Sequence, residues 1–325
     1  MGAIFSAIGS VLPLFLLIGV GYFVYDRKWV GPEFSEDISK IILKISLPAA
    51  TFVSVLKYLD LSAVDEIRRG AGYFLVSLIL GYGVAVAIAY GMKIGKSKRA
   101  LFVNSIVNTN MVFIGMPLQI AVLGEESFRH YLIIYVLGTF SIWCVGAIYI
   151  FMDAPKSYED INLKEGGRVS GFSWRRLLPA PMVGFFAGVV VLAIGIKLPD
   201  FIGTTLDYLA AMVSPLSLIY IGLMLRKVGI KHLRIGWDVF MVILGRFLIL
   251  PAITVLLLLI GPSLIGDLDP MMKDTLVLQA FAPTLSVLPI LANESGTDVK
   301  YATTVVTLTT FLFALIIPVV VFFIS

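Results

Sequence analysis

Ten stretches of about 20 predominantly apolar residues recur along this chain of 325 residues, at approximately 4–25, 37–56, 70–92, 100–122, 129–152, 178–196, 203–225, 235–261, 272–292 and 299–324. At about 1.5 Å of rise per residue, each is long enough to cross a hydrocarbon core of about 30 Å as a helix. Lipid offers the backbone no hydrogen-bond partners, so only helices and closed barrels can span it, and apolar runs of this length are helical ones. Charged residues are 14% of the chain and mean hydropathy is +0.97, where soluble domains carry roughly 25% charge. The expectation is an all-α, multi-pass protein of the cell membrane. The first run has no charge before it and no small-residue cleavage site after it, so it reads as a retained helix and not a signal peptide.

The basic residues set an orientation. With the N-terminus outside, the inner ends hold sixteen: Arg27, Lys28, Lys93, Lys96, Lys98, Arg99, Lys156, Lys164, Arg168, Arg175, Arg176, Arg226, Lys227, Lys231, Arg234 and Lys300. The outer ends hold six: Lys57, Arg68, Arg69, Arg129, Lys197 and Lys273. The positive-inside rule therefore puts both termini outside. The net charge of +4 is a product of this sorting and does not point to nucleic acid. The sequon at Asn293 then faces inward, where it cannot be glycosylated.

One polar linker, 153–177, divides the spans into five and five: 1–152 as the first repeat and 178–325 as the second. An odd number per half reverses the second half relative to the first, which is an inverted repeat. Sequence echoes agree: 46-SLPAATF-52 matches 214-SPLSLIY-220, and 116-MPLQIAVLGEES-127 matches 288-LPILANESGTD-298. The GxxxG at 184–188 reads as close packing within the chain.

Two spans carry helix-breaking chemistry. In the fourth, Asn108, Thr109 and Asn110 sit together ahead of Gly115 and Pro117; in the ninth, Pro283 should open the helix and free carbonyls. If both break at one depth and cross, two half-helix N-termini converge on a spot suited to an anion. Asn110 would then offer an amide, and Thr284 and Ser286 hydroxyls. The alternative is that these side chains hold helices together while Pro merely kinks.

No acid lies near the centre of a span; the deepest are Asp207, Asp238 and Asp274. Arg246 and Lys44 do lie deep, and a cation at the bilayer centre costs at least about 2.5 kcal/mol, so each needs a partner or a role. For Arg246 the readings are charge balance for an anionic substrate, support behind the broken helix, or pairing with a carbonyl or an acid such as Asp238. Lys44 reads as a snorkelling or paired residue that lends supporting charge. Gln279 and Thr307, with Thr303, Thr304, Thr309 and Thr310, are candidate oxygen ligands for a sodium ion. His130 and His232 sit at helix ends near the interface and read as solvated or capping residues, with a proton relay as the alternative, and the lone Cys144 excludes an intrachain disulfide or thiolate cluster. No cofactor motif appears.

The pattern Asn110-x-x-Phe113-x-Gly115-x-Pro117-Leu118, the Pro-broken ninth span ending in 288-LPILANESG-296, and Arg246-x-x-x-x-Pro251 resemble the auxin efflux carrier family. That family includes plant PIN auxin carriers and microbial permeases for malate and malonate. The resemblance implies a scaffold of spans 1, 2, 6 and 7, a transport domain of spans 3–5 and 8–10, and a crossover of spans 4 and 9. It also implies a homodimer through the scaffold and elevator movement of an organic anion, with Asn110 and Pro283 at the crossover and Thr51 facing the substrate. Plant carriers differ in a long cytoplasmic loop, and in a Trp-Tyr pair where this chain has Trp143-Cys144.

The expected function is secondary transport of small organic carboxylates, malate-, malonate- or auxin-like, by alternating access; the alternative is a sodium-coupled symporter of the same anions. A channel or sensor is a more distant alternative. An intramembrane enzyme needs reactive acids or histidines at depth, and none is there.

Overall fold

The computed structural model describes residues 2–58, 64–153, 180–228 and 235–324. The 154–177 part of the linker, His232 and the basic residues at 231 and 234 lie outside them. Sixteen α-helices are described: α1 Gly2–Asp26, α2 Phe34–Ile41, α3 Leu47–Tyr58, α4 Val64–Gly91, α5 Lys96–Val107, α6 Met116–Leu123, α7 Phe128–Phe140, α8 Ala147–Met152, α9 Ala180–Ile194, α10 Asp200–Ala211, α11 Val213–Val228, α12 Trp237–Leu244, α13 Leu250–Ile260, α14 Pro270–Ala280, α15 Leu288–Ser295 and α16 Val299–Ile324. No strand appears among the described residues; one isolated β-bridge joins Thr109 to Thr284.

Six helical stretches are long and apolar enough to cross a membrane: Phe34–Lys57, Arg68–Gly91, Glu125–Met152, Asp200–Met224, Trp237–Ser263 and Val299–Phe322. Leu16–Asp26, Phe113–Leu123 and Val183–Ile194 are shorter apolar helices. The fourth and ninth apolar runs are missing from the six because each is two half-helices: α5 and α6 flank one irregular segment, α14 and α15 the other.

Proline accounts for three of the four described π-helical turns; the fourth, Ser141–Gly146, has no proline near it. Three π-helical turns, Ile42–Ser46, Met111–Gly115 and Gly245–Ile249, each end two residues before a proline: Pro48, Pro117 and Pro251. A proline ring crowds the carbonyl four residues back and supplies no N–H, and widening that turn relieves the clash without ending the helix. The Ser-and-Pro interruption that 46-SLPAATF-52 and 214-SPLSLIY-220 each suggest is, at Pro48, a widened turn. That at Pro215 is a one-residue turn at Met212 within the Asp200–Met224 stretch, and Pro215 then falls in the first turn of α11, where its missing donor does no harm.

Glycine sets the closest helix approaches. A Cβ on Gly21 would lie 2.0 Å from the Ile219 carbonyl oxygen, and one on Gly222 would lie 2.0 Å from that of Ile18, so α1 and α11 touch backbone to backbone. On the other pair, a Cβ on Gly184 would lie 2.2 Å from the Pro48 carbonyl oxygen and one on Gly188 would lie 3.0 Å from that of Phe52. The GxxxG of α9 therefore packs inside the chain, on α3.

A polar cluster ties four elements at one end of the bundle. Lys98 at the start of α5 reaches Asp238 at 3.3 Å and Asp298 at 3.9 Å, Arg99 pairs with Asp153 after α8, and the Asp298 N–H donates to Ser97. Asp238 is thereby taken by Lys98, which corrects its expected pairing with Arg246. His130 is also corrected: it is buried, with its Nε2 3.1 Å from Arg129 Nε, rather than solvated.

Candidate functional site at the helix crossing

The backbone of residues 108–110 runs antiparallel to that of 283–285. Asn110 N–H donates to the Pro283 carbonyl at 2.8 Å and Leu285 N–H to that of Asn108 at 3.1 Å, either side of the Thr109–Thr284 bridge. Each irregular segment thus satisfies the other's backbone at a depth where water cannot.

The first halves, α5 and α14, bring their C-termini here. The last four carbonyls of a helix lack intrahelical donors, and in α5 all four are accounted for. That of Asn104 accepts from the Asn108 N–H at 2.9 Å and that of Ser105 from the Thr284 hydroxyl at 2.8 Å. Those of Ile106 and Val107 accept from Arg246 at 2.6 and 3.3 Å. The other arm of the same guanidinium donates to Ala280, the last residue of α14, at 2.5 Å. Arg246 is 0% exposed and stands in the π-helical turn before Pro251, which carries it between the two helix ends. Its described partners are carbonyls and not an acid, and they place it behind both broken helices.

The second halves begin here. Asn110 caps the fourth span's second half by accepting the Phe113 N–H on its Oδ1 at 3.2 Å, leaving the amide Nδ2 without an acceptor among the described hydrogen bonds. Ser286, half-buried, approaches the same Oδ1 at 3.5 Å. Pro283 is buried in the irregular segment between α14 and α15, the two halves of the ninth span. Just beyond, Phe113 stacks on Tyr220 of α11 with ring centroids 4.8 Å apart. Gly115 is required by close approach: a Cβ there would sit 2.5 Å from Gln279 Oε1, and its carbonyl accepts from Gln279 Nε2 at 3.0 Å.

Other expected site residues are committed to the fold. Asn108 donates from Nδ2 to Tyr82 and Asn104 and accepts the Ser141 hydroxyl on Oδ1, so its side chain belongs to a buried network between spans. Thr284 is fully buried, its hydroxyl on Ser105 and its N–H on the Thr309 hydroxyl. Thr51, also buried, bonds back to Leu47 and Pro48 within its own helix. Lys44 is exposed on the π-helical turn of the second span. Thr307 is buried in α16, with no described hydrogen bond to Gln279, whose amide points instead to Gly115 and Gln119.

Sequence reasoning missed Tyr82, Asn104, Ser105, Ser141 and Tyr131, whose hydroxyl donates to the Met111 carbonyl at 2.5 Å. The one available signal was the spacing of Asn104 and Asn108, four apart and so on one helix face.

The family model described as "membrane transport protein" matches residues 6–321. The chain belongs to that family, and the resemblance to auxin efflux carriers holds over nearly its whole length. This transporter is 23% identical to an uncharacterized transporter of Methanocaldococcus jannaschii over 309 residues, covering 92% of this chain and 93% of that protein. It is 24% identical to an uncharacterized transporter of Methanothermobacter thermautotrophicus, covering 95% of each. It is also 24% identical to a protein of Rhizobium meliloti provisionally named a malonate transporter, covering 94% of this chain and 91% of that one. The family and these relatives are transporters, not enzymes, and the protein is a multi-pass membrane transporter.

Proposed function

We propose that this transporter carries small organic carboxylates, binding the anion at the crossing of the fourth and ninth spans and moving it by elevator-type alternating access. The observation that carries the reading is the pair Asn110 and Ser286: at a helix N-terminus in mid-span, an amide donor and a half-buried hydroxyl stand at the partial positive end of the helix, with no charged side chain among their described hydrogen-bond partners. That is the chemistry of a carboxylate seat. The name of the Rhizobium relative supports a dicarboxylate of malonate size within this class.

The reading includes ten spans in a five-plus-five inverted repeat with both termini outside. The glycine contacts support it, since the pairing of spans 1 and 7 becomes the pairing of spans 6 and 2 when the halves exchange. It also includes two bodies. Close packing of spans 1, 2, 6 and 7 supports a scaffold through which a homodimer forms, and the Lys98–Arg99 cluster linking spans 4, 5, 8 and 10 supports a transport domain that moves as one.

The test is uptake of malonate, malate and an indole carboxylate by proteoliposomes, with binding read as a thermal shift. Asn110→Ala is expected to remain folded and lose saturable binding. Unchanged affinity in the variant would move the site elsewhere.

A further inference from the structure

The charge balance around Arg246 is unusual for a buried cation. It has no described ion pair; its partners are the carbonyls of Ile106, Val107 and Ala280, the ends of two helices. Each helix C-terminus carries roughly half a negative charge, so two of them together balance about one positive charge. The neighbourhood is otherwise neutral oxygen. Thr109 Oγ1 and Gln279 Oε1 are buried without hydrogen-bond partners, as is the Nε of Arg246, and all three residues line one narrow cavity behind the crossing. Backbone carbonyls, a hydroxyl and an amide oxygen with no carboxylate are the ligands that replace the hydration shell of a monovalent cation.

We propose that Arg246 is a tethered cation occupying the position a transported monovalent ion would otherwise take, so that this carrier binds its anion without sodium, and that removing the guanidinium exposes a latent monovalent-cation site. A sodium ion beside Arg246 would leave about one unit of charge uncompensated in the bilayer interior, which two helix ends cannot offset. With the side chain gone, five neutral oxygens and the same two negative helix ends remain. The transport half of the statement rests on the carboxylate-carrier reading; the ion-binding half does not.

The experiment compares thermal unfolding of the purified full chain in sodium chloride and in choline chloride at equal ionic strength, for wild type, Arg246→Ala and Arg246→Lys. Wild type and Arg246→Lys are expected to melt alike in both salts. Arg246→Ala should melt lower in choline and rise by about 3 °C when sodium or low guanidinium reaches tenfold over its dissociation constant. If Arg246→Ala cannot be purified in choline, Arg246→Gln is prepared with and without sodium or guanidinium throughout, and recovery only with the cation supports the proposal. A sodium-dependent rise in the wild type, or variants that no cation stabilises beyond the wild-type response, would overturn it. Malonate shifts are recorded on the same wild-type samples, and their absence would count against the carboxylate reading while leaving the salt comparison to decide the fate of the tethered cation.

Discussion

At the crossing, the ends of the first halves and the beginnings of the second halves sit side by side and are treated in opposite ways. The C-termini of α5 and α14 are closed: Thr284, Arg246 and local backbone take up their described carbonyls, and the arginine is wholly buried. The N-terminus after Asn110 is held by one amide oxygen and keeps the Asn110 Nδ2 and a half-buried Ser286 beside it. A broken helix exposes both kinds of end, and a protein that needs the break but not two binding sites must neutralise one of them. Here the negative ends are closed by Arg246 and Thr284, and the positive end after Asn110 is the one proposed to receive a ligand.

Mutations at the closed end should cost stability, and those at the open end should cost binding. The largest effect is expected from Arg246→Ala in sodium-free buffer. Loss of charge-assisted bonds to three buried carbonyls, at about 1.5–3 kcal/mol each and partly recovered by water, should lower the melting temperature more than any other change at the crossing. A melting curve that matches the wild type would mean that the carbonyls find other donors. Next comes Gly222→Leu, which forces a side chain into the Ile18 carbonyl and should destabilise by about 1–3 kcal/mol or more, separating α1 from α11 without touching ligand affinity in the protein that still folds.

Asn110→Asp sharpens the comparison most. Aspartate caps a helix as well as asparagine, so the fold should persist at a cost below about 2.5 kcal/mol, the helix end offsetting part of the buried charge, while a carboxylate in the seat repels the anion; affinity for malonate should fall at least tenfold, or about 1.4 kcal/mol. Isothermal titration beside a melting curve reads both quantities, and a loss of stability with affinity intact would reverse the assignment. Thr284→Val removes the hydroxyl bonded to Ser105 and should cost about 1 kcal/mol of stability with affinity unchanged. Ser286→Ala should do the opposite on a smaller scale, weakening binding by about 0.5–1 kcal/mol and leaving the melting temperature where it was.

Much of the fold is legible in the residues because bilayer physics leaves few choices. Apolar run length and Pro283 each act through a local rule, and the break in the ninth span follows from them; the antiparallel meeting with residues 108–110 is tertiary and was legible only as a condition, that both spans break at one depth. The roles of individual polar residues were less legible. Asn108, Thr109 and Asn110 are adjacent and chemically alike, yet one joins a network with Tyr82 and Ser141, one forms a backbone bridge, and one caps a helix. No local rule separates them, because which way each side chain points depends on what the ninth, third and fifth spans place opposite it. Thr51 and Thr284 look equally available in the sequence and are both committed to nearby carbonyls.

By itself, then, the sequence determined a membrane-embedded helical chain with two interrupted spans, since hydrophobicity and proline act over a single turn or a single helix. Only the tertiary structure decided that Arg246 serves two helix ends at once, more than thirty residues from one and about 140 from the other. A buried charge is stabilised by whatever surrounds it in space, and the carbonyls that hold Arg246 come from two spans other than its own.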